Sequence, residues 1–348
     1  MNPTTANPTT ATPSPSSASS SPTLVTASFG LRRLVQALPA IHSIVASGRE
    51  VALLVPDELR ALAEQIPGVV AAPEISPSEQ GSVEGILRAG CEEAVILDGS
   101  LDSAWLAQRA EISQRWGYGG LLRRWLLTSA VEAPKKSAAK GAGRYGPLLE
   151  ALGAPLPESW VPSLSLPPAL QEKGGQYLER ARVEPEGGPL IAYAPTSEEV
   201  TAPRWPWKEF ATLIRSMRKA HPSVRQVLIA RSDELWPVVR IHEETARYYP
   251  VIGPDLSLPD LAAVLARVDL LVSPASGFLH LAAALGVPTV ALLSRRAPAP
   301  PGPGHAILRG QSASGLLLFG LNYLGRNPLT GIDGEAVQLA CEGLLGLL

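Results

Sequence analysis

Short apolar runs alternate along the chain with longer stretches whose apolar positions recur at helical spacing. Apolar runs of this kind are typical of strands that are buried on both faces of a parallel sheet, and the stretches between them are typical of covering helices. The predicted strands are Thr23–Ala27, Glu50–Pro56, Ala94–Leu97, Leu190–Ala194, Val227–Ala230, Asp269–Ser273 and Thr289–Leu293. The alternation predicts an α/β protein with doubly wound parallel sheets.

Residues 264–294 carry the clearest strand–turn–helix–strand pattern. Ser276 is a good helix N-cap, Gly277 allows close approach to the backbone, and Gly286 is a typical left-handed helix stop. A helix that starts at the carboxyl edge of a parallel sheet presents free N–H groups and a partial positive charge. This is where a diphosphate binds in many α/β proteins.

The pattern divides the chain into two domains and three accessory segments. Residues 1–22 are rich in Ser, Thr, Pro and Ala, which predicts a disordered tail. We expect a first α/β domain over 23–165, a linker region over 166–188, a second α/β domain over 189–333 and a C-terminal helix over 334–348. Within the first domain, Leu31–Ser47 is a predicted helix with a bend or break near Pro39, Glu58–Gln65 is a second helix, and 135–143 is a basic loop.

Composition narrows the function classes. The 348 residues carry a net charge of −2, which does not favour wholesale nucleic-acid binding. Cys91 and Cys341 are far apart and form no metal-binding spacing, which suits a reducing cytoplasm. No apolar run reaches the ~18 residues needed to span a bilayer.

Several motifs resemble those of glycosyltransferase family 9, the lipopolysaccharide heptosyltransferases. Ser276, Gly277, His280, Gly286 and Pro288 stand at the positions of that family's donor-binding signature. The segments 94–128, 144–153 and 194–213 resemble further family motifs, in the same order. The resemblance is greatest to heptosyltransferase II and covers most of residues 23–348.

The resemblance implies a GT-B fold, in which two Rossmann-like doubly wound domains face each other across a cleft. It implies that the first domain binds an acceptor, namely a lipopolysaccharide inner-core or similar saccharide, and that the second binds a nucleotide sugar of the ADP-heptose type. The implied reaction transfers the sugar with inversion in the cytoplasm. Because the sequence has no Asp-x-Asp motif and no metal-ligand spacing, we expect neither a metal nor another cofactor.

The predicted donor site combines the helix start with the turn after the 190–194 strand. A guanidinium binds phosphate oxygens in a bidentate manner, which makes Arg204 the candidate cation, although an arginine stacked on Trp205 or Trp207 explains the residue equally. For Thr196 and Ser197 the alternative is an ordinary turn after a strand. For His280 it is a helix histidine whose hydrogen bonds are satisfied. The predicted donor-binding residues are Thr196, Ser197, Arg204, Ser276, Gly277, Phe278, Leu279 and His280.

Three positions depart from the family pattern. Arg33 stands where the family has its expected catalytic Asp, Pro203 replaces a Lys, and Ala275 replaces an Asp that contacts the donor sugar. Asp98, at the end of a first-domain strand, is the candidate substitute base, with a turn residue that bonds the N–H groups of Gly99 and Ser100 as the alternative. Glu198 and Glu199 are weaker candidates for the base.

Arg32, Arg33 and Ser100 are the predicted acceptor contacts. Arg32 or Arg33 is able to bind a phosphorylated acceptor or a pyrophosphate, and solvated charges at a helix start are the alternative for both. A basic and aromatic stretch over 123–144 predicts either peripheral contact with the inner membrane or a solvated loop. The second function considered is a catalytically degenerate homologue that binds a nucleotide or saccharide, or acts as a scaffold.

Overall fold

The computed structural model describes residues 21–27, 30–73, 75–76, 78–120, 122–134, 141–184, 187–196, 203–231, 235–310 and 327–348. Most of the predicted tail, residues 135–140 of the predicted basic loop, and residues 197–202, which include Ser197, Glu198 and Glu199, lie outside the described residues.

The first half of the chain forms one sheet with helices packed against it. Its strands are parallel and lie in the order β3-β2-β1-β4-β5-β6. In chain order the elements are β1 Thr23–Thr26, α1 Leu31–Ala46, β2 Val51–Leu54, α2 Asp57–Ala63, β3 Val69–Ala71, α3 Glu79–Ala89, β4 Glu93–Ile96, α4 Leu101–Arg109, β5 Gln114–Tyr118, β6 Ser129–Val131 and α5 Gly146–Leu152.

The second half repeats this architecture with strand order β9-β8-β7-β10-β11-β12. Its elements are α6 Pro168–Arg180, β7 Leu190–Tyr193, α7 Trp207–Ala220, β8 Arg225–Ile229, α8 Leu235–Glu244, β9 Val251–Ile252, α9 Leu258–Leu265, β10 Leu270–Pro274, α10 Gly277–Ala284, β11 Thr289–Leu293, β12 His305–Arg309 and α11 Gly334–Leu345. Counted within each half, both sheets have the order 3-2-1-4-5-6 of a Rossmann fold, so the doubly wound α/β prediction is confirmed.

Two local predictions differ from the structure. Helix α1 is continuous through Pro39, because the residues on both sides of the proline bury an apolar face in the core. The region 166–188, predicted as a linker, contains α6, which packs against α9. The backbones of these two helices come so close that a Cβ on Gly174 would lie 2.2 Å from the Ala263 carbonyl oxygen.

The two halves share one apolar core. Helix α1 of the first half packs against α10 of the second, and α2 packs against α9. Leu31 and Leu34 belong to the same buried cluster as Phe278 and Leu281. In the described part of the chain, no helix is both long and apolar enough to cross a membrane.

Candidate functional site

The second sheet reverses its winding between β7 and β10, which are adjacent parallel strands. In open α/β sheets, ligands bind in the crevice beyond the carboxyl ends of the strands at this point of reversal. Thr196 follows β7, and Ser276 follows β10. Predicted donor residues from two distant parts of the sequence therefore lie at one edge of the sheet.

Ser276 is the N-cap of α10, as predicted. Its hydroxyl accepts a hydrogen bond from the Leu279 N–H at 3.2 Å and lies 2.9 Å from the Ser273 hydroxyl. A helix start has four N–H groups without intrahelical acceptors, and this cap occupies the one on Leu279. The hydroxyl of Ser276 thus holds the helix start in place, and backbone N–H groups are what the helix offers to an anion.

His280 lies on the first turn of α10 and is buried, with 1% of its surface exposed. Its Nδ1 has no hydrogen-bond partner among the described residues. Burial, together with the charge of Arg32 and the neighbouring His305, lowers the pKa of His280 to about 4. The ring is therefore neutral near pH 7, with a buried polar nitrogen that a ligand group is able to satisfy.

Thr196 presents a second polar atom of the same kind. Its backbone continues β7, whose neighbour Ala194 donates its N–H to the Val272 carbonyl of β10 at 3.0 Å. The Thr196 side chain is 1% exposed, and its Oγ1 has no partner in the part of the chain that the structure describes. Buried hydroxyl groups are nearly always hydrogen-bonded in native proteins, so this atom is a candidate contact for a ligand.

The backbone at Arg204 is fixed by contacts with other parts of the second half. Trp205 is buried, donates its indole N–H to the Ile332 carbonyl at 3.2 Å and packs edge-on against Phe210. The Arg204 carbonyl accepts a hydrogen bond from the Asn327 side chain. These contacts fix the backbone of Arg204 and Trp205.

The remaining predicted donor residues divide into three groups. Phe278 and Leu279 have side chains in the apolar core, so they offer only backbone groups to a ligand. Gly277 is the first residue of α10 and offers its backbone in the same way. Ser197 lies outside the described residues.

The first sheet reverses its winding between β1 and β4, and Asp98 follows β4. One carboxylate oxygen of Asp98 accepts the Ser100 N–H at 2.9 Å, and the other accepts the Ser103 hydroxyl at 2.7 Å. Burial raises the pKa of Asp98, and these hydrogen bonds oppose that effect. Ser100 itself caps α4 through its hydroxyl.

Arg32 and Arg33 lie on the first turn of α1, the helix that packs against α10. Arg32 is half-buried, whereas Arg33 is exposed. The structure thus brings Arg32 of the first half near His280 of the second.

The sequence analysis did not identify two residues of this region. Ser273 supports the cap through its hydroxyl contact with Ser276. His305 influences His280 and is held by the Thr289 hydroxyl at 3.0 Å and the Pro301 carbonyl at 3.2 Å. Ser273 carries a usable signal, because it is a polar residue inside an otherwise apolar strand.

Each half is Rossmann-like and reverses the winding of its sheet at one point, and the two halves meet at the contact between α1 and α10. This arrangement defines a GT-B protein. The fold matches a crystal structure of the glycosyl transferase family 9 from Veillonella parvula (TM-score 0.78, 19% identity, 94% of this chain and 98% of that chain). It also matches the ADP-heptose LPS heptosyltransferase II of E. coli (TM-score 0.76, 21% identity, 94% of this chain and 99% of that chain).

The family description "Glycosyltransferase family 9 (heptosyltransferase)" matches residues 85–304, and the chain belongs to this family. The lipooligosaccharide heptosyltransferase 2 of Haemophilus influenzae is 26% identical over 218 residues, which are 61% of this chain and 63% of the relative. The lipopolysaccharide heptosyltransferase 2 of Salmonella typhimurium is 26% identical over 212 residues, which are 60% of this chain and 61% of the relative. The chain thus matches these curated relatives over less than two thirds of their length.

Proposed function

We propose that the protein is a glycosyltransferase that moves a heptose or related sugar from an ADP-sugar to a lipopolysaccharide inner-core or similar saccharide. The observation that carries the proposal is a pair of buried polar atoms, Thr196 Oγ1 and His280 Nδ1, which have no hydrogen-bond partner in the described part of the chain and lie at the reversal point of a family 9 fold. The names of the relatives, which are heptosyltransferases, support the choice of sugar. A structural neighbour of the same fold, heptosyltransferase WaaC of E. coli, was solved with ADP.

In this proposal the second half holds the leaving group. Backbone N–H groups at the start of α10 and the Arg204 guanidinium bind the diphosphate, whose negative charge grows as the bond to the sugar breaks. Thr196 and neutral His280 hydrogen-bond to the same ligand. Since the sequence has no Asp-x-Asp motif, these groups stabilise the departing charge in place of a metal.

The acceptor hydroxyl attacks the anomeric carbon from the side opposite the diphosphate, which inverts that carbon and releases ADP. We propose Asp98 as the group that takes the hydroxyl proton, because its raised pKa makes it a stronger base than an ordinary aspartate. Arg33 and Ser100 stay the proposed acceptor contacts, and Arg32 stays a proposed contact of either the acceptor or the pyrophosphate.

A second function, nucleotide or saccharide binding without turnover, is favoured by one observation. The Ser100 N–H and the Ser103 hydroxyl each donate to one oxygen of Asp98, and these hydrogen bonds stabilise the charged carboxylate and so weaken it as a base. Family 9 membership is compatible with either function.

Calorimetry with ADP, UDP and GDP, followed by an assay of donor hydrolysis, separates the two functions. Transfer predicts binding of ADP in preference to UDP and GDP, together with slow hydrolysis of the ADP-sugar. Asp98→Asn should lower turnover and leave ADP affinity nearly unchanged, and unchanged turnover would exclude Asp98 as the base. Absence of nucleotide binding at millimolar concentration would sink the transferase proposal.

We also propose that the protein works in the cytoplasm at the inner-membrane surface. The turn Arg123–Trp125 exposes 83% of Trp125, and the adjacent Leu122 is 65% exposed. An apolar tip beside the exposed Arg124 suits an anionic lipid interface.

A further inference from the structure

The donor edge of the second half has little positive charge of its own on α10. A helix start contributes roughly half an elementary charge. His280, on the same turn, is neutral near pH 7 because its pKa is about 4. The Ser276 hydroxyl is occupied by the Leu279 N–H and by Ser273. A diphosphate carries several negative charges, so cations on elements other than α10 are needed to balance them.

The α1–α10 contact supplies such a cation from the first half. Leu31 and Leu34 anchor the first turns of α1 in the same apolar cluster as Phe278 and Leu281 of α10. Arg32 lies between these two anchors in sequence and is half-buried. The anchors fix the position of its backbone against α10.

We propose that Arg32 binds the diphosphate of the donor from the opposite half of the molecule, so that groups of both halves hold the leaving group. The inference rests on the proposed function, since it adds a ligand to the same donor site. A guanidinium suits the task because it pairs with two phosphate oxygens and does not lose its charge.

The effect of the Arg32 charge on His280 agrees with the contact between α1 and α10. The charge of Arg32 is one cause of the low pKa of His280, which requires the guanidinium to be near that ring. His280 has a buried Nδ1 on the first turn of α10, and Thr196 has a buried hydroxyl after the neighbouring strand β7; neither atom has a hydrogen-bond partner among the described residues. Arg32 is therefore near a buried polar atom, His280 Nδ1, that no described residue bonds.

The experiment measures ADP and adenosine binding by calorimetry to the full chain and to three variants. Arg32→Gln removes the charge, and Arg32→Lys keeps a charge without the bidentate geometry. Arg88→Gln is the matched control, because it makes the same change at an exposed arginine of α3 that pairs only loosely with Glu84 at 3.8 Å. Circular dichroism checks that each variant is folded.

Arg32→Gln should raise the Kd for ADP by about 10- to 100-fold, as expected for a lost charge-assisted hydrogen bond. Arg32→Lys should recover most of that loss, and Arg88→Gln should stay within about twofold of the wild type. The adenosine Kd should change by less than about twofold in every variant, because adenosine has no phosphate. NMR titration should show the pKa of His280 rising in Arg32→Gln, since a repelling charge is gone.

Three outcomes would overturn the inference. If the wild type binds ADP and Arg32→Gln binds it equally well, Arg32 is not a ligand, while the proposed donor site stands. If adenosine affinity falls as much as ADP affinity, Arg32 acts on the shape of the site and not on phosphate. If the wild type binds no ADP at all, the proposed function fails and this inference fails with it.

Discussion

The two sheets have the same strand order, but the polar groups at their carboxyl edges differ in how many hydrogen bonds they make within the chain. At the first edge, both oxygens of Asp98 accept hydrogen bonds from the start of α4. The Thr26 hydroxyl makes no hydrogen bond of ordinary geometry there, yet it lies close enough to Asp98 to lower the pKa of that carboxyl. At the second edge, Thr196 Oγ1 and His280 Nδ1 are buried without partners among the described residues. The same topology thus yields one edge whose polar groups are hydrogen-bonded mainly within the chain, and a second edge with two buried polar atoms that no described residue bonds.

The largest difference in stability should appear when the hydrogen-bonded carboxylate of Asp98 is removed in one variant and the hydroxyl of Thr196 in another. Asp98→Ala leaves the Ser100 N–H and the Ser103 hydroxyl without their acceptor, and should lower the free energy of unfolding by about 3 kcal/mol. Thr196→Val removes a hydroxyl that no described residue bonds, so the free energy of unfolding should stay the same or rise by up to about 1 kcal/mol. Urea unfolding of both variants is the measurement.

Asp98→Asn is the control for the first edge, because it keeps an acceptor for the Ser100 N–H and should cost less than the alanine. Thr196→Val should also weaken ADP binding, although it does not weaken the fold. Equal destabilisation by Asp98→Ala and Thr196→Val would contradict the distinction between the edges.

An intermediate effect should appear on acidification. The native pKa of His280 is about 4, below the usual 6.5, so the unfolded chain takes up this proton at a higher pH than the native protein. The stability that depends on neutral His280 is complete above about pH 6.5 and is lost as the pH falls toward 4. Between pH 7 and pH 5 the free energy of unfolding should fall by about 2 kcal/mol from this residue.

Urea unfolding of the wild type and His280→Gln at both pH values isolates this contribution, because the other histidines are common to both proteins. Asp98 should act in the opposite direction, since its raised pKa makes its contribution largest at low pH and diminishes it as the pH rises above about 3.8. A wild type and a His280→Gln variant with the same pH dependence would show that the ring is not buried in its neutral form.

The smallest effect concerns the outer surface of the first half. Trp125→Ala should reduce binding to anionic phospholipid vesicles by about threefold, because an exposed tryptophan contributes modestly to interfacial partitioning. Trp236→Ala is the matched control, as Trp236 is 65% exposed but lies on α8 of the second half. Vesicle sedimentation measures both variants, and an equal loss in the two would argue against a specific face.

Local pattern predicted the centre of the second half closely. The strand expected over Asp269–Ser273 is Leu270–Pro274, Ser276 is the predicted cap, and Gly286 has the predicted left-handed backbone at φ +79°. Apolar runs and capping residues are local signals, so these features do not depend on the remainder of the chain.

Other features required the tertiary structure. β5 reads QRWGY and β12 reads HAILR, and neither is a continuous apolar run because both strands are partly exposed. The nearness of Arg32 to His280 depends on the packing of α1 against α10, which are far apart in sequence. The alternative interpretation of Asp98 as a turn residue anticipated its bond to the Ser100 N–H, but not the one to the Ser103 hydroxyl.

The tight seating of α6 on α9 has a mechanical consequence for this molecule. Gly174 leaves no space for a side chain between the two helices, and the Leu164 N–H already bonds to the Ala284 carbonyl at the end of α10. From Leu164 onward the chain therefore packs with the second half, whereas α5, the last helix of the first half, ends at Leu152. Any hinge rotation in this crossing is confined to residues 153–163, where Pro155, Pro157 and Pro162 stiffen the pivot.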